Sequence, residues 1–251
     1  MKKIGFSGIR RGINEYVRLG NRSNNVIFLK IEIRADRLRE YCSRNAVTYT
    51  PALIKIIAKT YDTYPIMNAI FARDMFLRKR IFIPDAVDIS IAIEKTYKGE
   101  TFVTTPVIRD VHSMSVQEIG AHIDSLSALS FDQLPHMKEI FLFYRLPDFL
   151  KQIVLRCICL SPHLFKRYFG TVGFSNLGKF GITHFYPVWL TSLVFGVGTI
   201  EEEPVISSGE ITIAPVLHIT MGFNHTVLDG ATAGRILREL KNRIENGDFS
   251  D

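Results

Sequence analysis

Hydrophobic and polar positions along the chain change period several times, and the elements they predict alternate in type. Ile9 to Leu19 repeats at helical spacing, while Val26 to Ile33 (VIFLKIEI) is β-branched and partly alternating, as a strand is. Asp36 is placed to cap a short helix through Leu38, Tyr41 and Cys42. Thr50-Pro51 reads as a cap followed by proline at the first helical position, with Leu53, Ile54, Ile57 and Tyr61 on one face. Strand-like runs follow at Phe71 to Leu77, Arg80 to Ile83, Val87 to Ile93 and Thr101 to Ile108. Ser115 opens a helix to about Leu129. Residues 136 to 169 are mostly helical, broken by Pro147 and Pro162. Strands return at Thr171 to Ser175, Leu193 to Val197, Ile211 to Ala214 and Val216 to Phe223. A last helix from Ala231 to Ile244 carries Ala233, Ile236, Leu237, Leu240 and Ile244 at helical spacing. The predicted class is α/β, with a large mixed sheet and helices packed on it. No linker composition divides the chain, so residues 1–251 are read as a single domain.

Composition narrows the function. The 251 residues are 47% hydrophobic and 22% charged, with no low-complexity tract or repeat. The basic N-terminus has no apolar run behind it, and Phe149 to Leu160 contains Lys151 and Arg156 and is too short to cross a bilayer. The expectation is a protein without a membrane partner. Three cysteines (Cys42, Cys157, Cys159) fit buried thiols in a reducing, cytoplasmic compartment, and a lone Cys-x-Cys is a poor zinc site, so no metal is expected. The net charge of +6 is scattered rather than gathered on a helix face, which argues against nucleic acid.

Two segments carry candidate chemistry. Asn224-His225-Thr226-Val227-Leu228-Asp229-Gly230 follows an apolar strand and precedes an amphipathic helix. A histidine there meets a substrate readily, and imidazole is the usual general base near neutral pH. The bland alternative is a hydrogen-bonded structural histidine. The second segment is Gly170-Thr171-Val172-Gly173-Phe174-Ser175-Asn176-Leu177-Gly178-Lys179-Phe180-Gly181, a strand running into a glycine-rich turn. Ser175 offers a hydroxyl to a developing oxyanion, or else the segment is simply a turn that needs Asn and Gly. It has neither phosphate-loop nor nucleophile-elbow spacing.

In this order the two segments resemble the catalytic domain of the dihydrolipoyl acyltransferases of 2-oxo acid dehydrogenase complexes, in the chloramphenicol acetyltransferase-like superfamily. Ser7-Gly8-Ile9-Arg10-Arg11-Gly12-Ile13, Pro65-Ile66-Met67-Asn68-Ala69, Thr105-Pro106-Val107-Ile108-Arg109-Asp110 and the run from Phe195 to Val205 resemble further family segments. The resemblance implies a chloramphenicol acetyltransferase-like two-layer sandwich, assembled as a homotrimer with active sites between subunits. It implies coenzyme A as co-substrate and direct acyl transfer. His225 would be the base and Ser175, from the neighbouring subunit, the oxyanion donor. Asp229 would hold local structure, by pairing with Arg10, while Gly230 and Asn176 would support the site and Lys179 would attract the phosphates of CoA.

Four departures shape the expected function. The catalytic motifs begin at about residue 5, so the expectation is a chain without a lipoyl domain ahead of them. Asn224 and Thr226 stand where the family has Asp and Arg. Residues 130–169 form an apolar helical insertion, either extra packing or a reshaped acceptor channel. The polar tail from Asn242 to Asp251 suggests a free trimer rather than a cage. The leading expectation is therefore a stand-alone CoA-dependent acyltransferase acting on a small thiol or hydroxyl acceptor. The alternatives are a dihydrolipoyl acyltransferase core served by a separate lipoyl protein, and a non-catalytic trimeric scaffold.

Overall fold

The computed structural model describes residues 7–23, 25–73, 78–207 and 209–249, with the side chains of residues 10, 16, 19–23 and 73 outside that description. The chain begins with helix α1 (Gly8–Ser23), strand β1 (Val26–Arg34) and helices α2 (Asp36–Asn45) and α3 (Tyr49–Thr63). Six short strands follow: β2 (Ile70–Arg73), β3 (Lys79–Phe82), β4 (Ile89–Ile91), β5 (Ile93–Tyr97), β6 (Glu100–Thr104) and β7 (Val107–Ile108). Helices α4 (Val116–Ala128), α5 (Met137–Arg145), α6 (Asp148–Leu160) and α7 (Pro162–Phe169) lead into β8 (Val172–Asn176), β9 (Leu193–Ser207), β10 (Glu210–Asn224) and α8 (Gly230–Asn246).

The main sheet is mixed, in the order β1-β10-β9-β8-β4-β7, with β8 parallel to β4 and β9. Hairpins β2/β3 and β5/β6 stand apart from it. Alternation builds one face of the sheet: Leu217, Ile219, Met221 and Phe223 point into the core with Leu193, Phe195 and Val197, beneath the apolar faces of α3 and α8. The segment 181–192 covers the other face at close range. The Trp189 ring lies against Gly173, where a Cβ would stand 2.7 Å from it, and the Thr183 carbonyl occupies the space of a side chain at Gly198. Side chains at these two positions would push the segment off the sheet.

Several boundaries differ from the sequence expectations. Asp36 does not cap α2. Ala35 holds that position, and Asp36 sits in the first turn, paired with Arg34 at 3.0 Å. Thr48, rather than Thr50, precedes α3, so Thr50 and Pro51 both lie in its first turn. The runs 87–93 and 101–108 each divide between the main sheet and the β5/β6 hairpin. The two strands read from sequence as Ile211 to Ala214 and Val216 to Phe223 are one, with Pro215 inside β10. Its carbonyl accepts from Ala35 N, on the side where β1 has already ended, so the missing N–H faces no ladder partner. Ser115 caps α4 as expected, with a full capping box to Glu118.

The 136–169 stretch is helical, and its prolines stand where helices begin: Pro147 precedes α6 and Pro162 opens α7. These helices form a satellite core in which Leu155, Phe165 and Phe169 meet Ile70, Ala72 and Leu190. Lys151 is buried beneath α6, with Nζ 3.0 Å from Asp148.

Candidate active site

β10 ends in a turn built from its own backbone. The Asn224 side-chain oxygen accepts from Thr226 N at 2.9 Å, and the Asn224 carbonyl accepts from Val227 N and Leu228 N. This is an Asx-type turn, which needs an oxygen and not a charge. It explains how asparagine serves where the resembling family has aspartate. His225 N donates to Asn25 O at 2.9 Å, and buried Leu228 pins the far side of the turn. The His225 side chain is exposed, with its ring 6.2 Å from that of Phe223.

Asp229 is the N-cap of α8, with its carboxylate accepting from Thr232 N at 2.6 Å. That bond, with the Thr232 hydroxyl and the Arg235 charge adding to it, holds the carboxyl below its ordinary range. Gly230 is the first residue of α8, and a Cβ there would meet nothing within 4 Å. The Arg10 backbone belongs to α1, but its side chain lies outside the described residues, and the expected pairing with Asp229 falls there too.

Ser175 is the penultimate residue of β8 and only 6% exposed. It alternates with core residue Phe174, so it faces the side of the sheet that the 181–192 segment covers. Asn176 fixes the turn that follows. Its side-chain oxygen accepts from Gly178 N at 2.8 Å, and its Nδ2 donates to Thr50 Oγ1 at 3.0 Å. Thr50 thus belongs to the neighbourhood of Ser175, which its sequence signal as a helix cap concealed. Lys179 is exposed, with Nζ 4.7 Å from the Phe180 ring centroid.

One chain does not bring His225 and Ser175 together. Ser175 pairs with Gly196, and Gly196 with Thr220, so these three share a row across the sheet. His225 lies five residues beyond Thr220, about 16 Å along the strands and about 10 Å across them. The two groups therefore stand apart in one chain, on strands two positions from each other and five residues out of step.

A second polar cluster sits at the His225 end, on the far edge. Buried Asp88 binds Arg109 at 2.8 Å and accepts from Asp110 N at 3.0 Å. Arg109 also donates to the Lys166 and Arg167 carbonyls, closing the last turn of α7. The Asp88 partner was not legible in the sequence, because the pair joins residues that flank two separate strands, β4 and β7. Among the described residues no group of three His, Cys, Asp or Glu side chains is placed to hold a metal, and no helix is long and apolar enough to cross a membrane.

The sequence matches the family model for 2-oxoacid dehydrogenases acyltransferase (catalytic domain) over residues 3–139 and 162–249. The unmatched stretch, 140–161, is narrower than the 130–169 insertion expected from sequence. The chain is 25% identical over 231 residues to the dihydrolipoyllysine-residue acetyltransferase component of pyruvate dehydrogenase complex of Rickettsia prowazekii, covering 87% of this chain and 48% of that protein. It is 26% identical over 204 residues to the Bacillus subtilis protein of the same name, covering 80% and 38%. It thus spans half or less of the length of these relatives. Among solved structures, a probable dihydrolipoamide acetyltransferase from Listeria monocytogenes superposes with a TM-score of 0.72 at 21% identity, covering 98% of this chain and 95% of that one. A chloramphenicol acetyltransferase superposes with a TM-score of 0.50 at 15% identity over the whole of both chains. The fold is the expected chloramphenicol acetyltransferase-like one, with its large mixed sheet.

Proposed function

The chain belongs to the 2-oxoacid dehydrogenase acyltransferase (catalytic domain) family, and from that premise we propose that it moves an acetyl group between coenzyme A and the dihydrolipoyl thiol of a lipoyl-bearing protein. The observation that carries this reading is the family match on both sides of the 140–161 stretch, which includes both candidate segments. The names of the relatives supply the acceptor class.

In the proposed mechanism His225 takes the proton from the attacking thiol. The thiolate adds to the thioester carbonyl, and the Ser175 hydroxyl donates a hydrogen bond to the oxyanion. Collapse of that adduct breaks the old C–S bond, and the departing thiolate recovers the proton from His225. A thioester needs a base and an oxyanion donor and little more. Because His225 and Ser175 are too far apart to meet within one chain, we place the site between two copies, in a homotrimer, with each site taking His225 from one copy and Ser175 from the next. Lys179 stands beside the Ser175 turn as a phosphate partner for coenzyme A. The three free cysteines support the cytoplasmic reading.

A second reading keeps the chemistry and changes the acceptor to a diffusible small thiol or hydroxyl. The unmatched 140–161 stretch, packed toward the His225 end, favours it. The test is acetyl transfer from acetyl-CoA to free dihydrolipoamide, followed by mass spectrometry, with His225→Ala alongside. Product that depends on His225 supports the first reading. Bound acetyl-CoA with no product supports the second.

A further inference from the structure

Helix α6 is apolar on more than its buried side. Lys151 and Leu155 turn inward, while Phe149 (65% exposed), Ile153 (50% exposed), Cys157 and Leu160 form an outward stripe at i, i+4, i+8 and i+11. A helix that is apolar all round is ordinarily buried, and this one leaves a full face uncovered. The helix lies within the stretch that the family model does not match.

The stripe has a mainly positive border, in which Arg18 is paired with Glu15 at 3.0 Å. Arg156 sits within it, Arg145 precedes α6, and Arg11 and Arg18 of α1 lie near Asp148 at the start of the helix, all four arginines being exposed. Asp148, the one acid of α6, is already bonded to Lys151. The surface therefore suits an occupant with apolar residues inside an acidic rim.

Its place in the fold says which occupant. α7 follows α6 and ends at Phe169, immediately before β8, whose first residue Val172 pairs with Leu193, itself paired with Phe223. His225 is two residues beyond Phe223. α6 packs through Leu155 on Phe165, Phe169 and Leu190, and Leu190 lies just before Leu193, so α6 sits toward the end of the sheet where the candidate base stands. An acceptor thiol has to reach that base, so whatever carries the thiol arrives at this end.

We infer that the outward face of α6 is the docking surface for the acidic carrier protein that brings the dihydrolipoyl group to His225. The inference rests on the acetyl-transfer reading and names the partner for it. The carrier binds through Phe149 and Ile153, with Arg156 meeting its acidic rim, and the tethered thiol spans the remaining distance.

The test compares two acceptors, free dihydrolipoamide and an isolated lipoyl domain of this family reduced to its dihydrolipoyl form. The enzymes are wild type, Phe149→Glu/Ile153→Glu and Arg156→Glu, with the mass of each followed by light scattering. The wild type should favour the domain-borne acceptor. The double variant should lose roughly tenfold or more in kcat/KM on the domain, through KM, and Arg156→Glu a smaller part of that. Neither should change the rate on free dihydrolipoamide or the mass. Equal rates on both acceptors in the wild type, or equal losses on both in the variants, would overturn the docking surface. A fall in mass would overturn it too, by making the stripe a contact between copies. A wild type that acetylates neither acceptor would instead defeat the acetyl-transfer reading, and the docking surface with it.

Discussion

The side-chain amide of Asn176 hydrogen-bonds the hydroxyl of Thr50 at 3.0 Å, joining the turn after Ser175 to the first turn of α3. The same amide accepts from Gly178 N, so both ends of the Asn176 side chain are held. Thr50 therefore positions Ser175 through its neighbour, without standing beside it in sequence. Thr50→Val keeps the shape and removes the bond. It should lower kcat severalfold with little change in KM, and cost about 1 kcal/mol in stability. Thr50→Ser should recover the rate. A valine variant with wild-type kcat would leave the bond a structural one.

His225→Ala should abolish transfer, and Ser175→Ala should lower kcat by roughly a hundred- to a thousandfold. Co-expressing the two inactive chains is more telling. If each site takes one group from each of two copies, random mixing restores about one quarter of the sites. A site within one chain would regain none. Activity of the purified mixed oligomer, against each variant alone, decides between them.

Arg109→Ala would strip the carboxylate of buried Asp88 of its main partner and uncap α7. Losing one member of a buried pair costs about 3–5 kcal/mol, and the 41% exposure of the Arg109 side chain places this case near or below the bottom of that range. Urea unfolding measures it. Arg109→Lys should recover part of the stability, because one ammonium cannot serve both Asp88 and two carbonyls.

Burial pushes the Cys42 thiol up to about 11 and the Cys159 thiol up to about 12, while Cys157 is exposed. At pH 8 roughly one Cys42 in a thousand is thiolate, and fewer of Cys159. Brief treatment with iodoacetamide at that pH should add one label, at Cys157. Peptide mapping checks the position, and three labels without denaturant would mean that the buried thiols open.

Asp229 gives a pH dependence of definite sign. Its folded carboxyl titrates below the ordinary range, so the cap contributes fully above about pH 4 and fades as pH falls through the lower folded value. Asp229→Ala should melt a few degrees below wild type at pH 7, and the gap should close in acid. A gap that stays constant with pH would remove the charge from the explanation.

Much of the local structure follows from residues close together in the chain. The helix start at Ser115, the interruptions at Pro147 and Pro162, and the periodic face of α8 are set by contacts within a few residues, and these were readable in the sequence. The fold was readable too, through the order of its motifs. Pro215 misled, because a proline inside β10 is acceptable only where the neighbouring strand has ended, and strand order alone reveals that place. The runs 87–93 and 101–108 misled for the same reason: each strand's partner is chosen by packing at long range. The candidate residues His225, Ser175 and Asp229 were legible as motifs. Their separation was not, because distance across a sheet depends on register and strand order, which non-local hydrogen bonds decide. Residue type determined which groups could do chemistry; tertiary structure decided that His225 and Ser175 stand apart within one chain, and that α6 turns a second apolar face to the solvent.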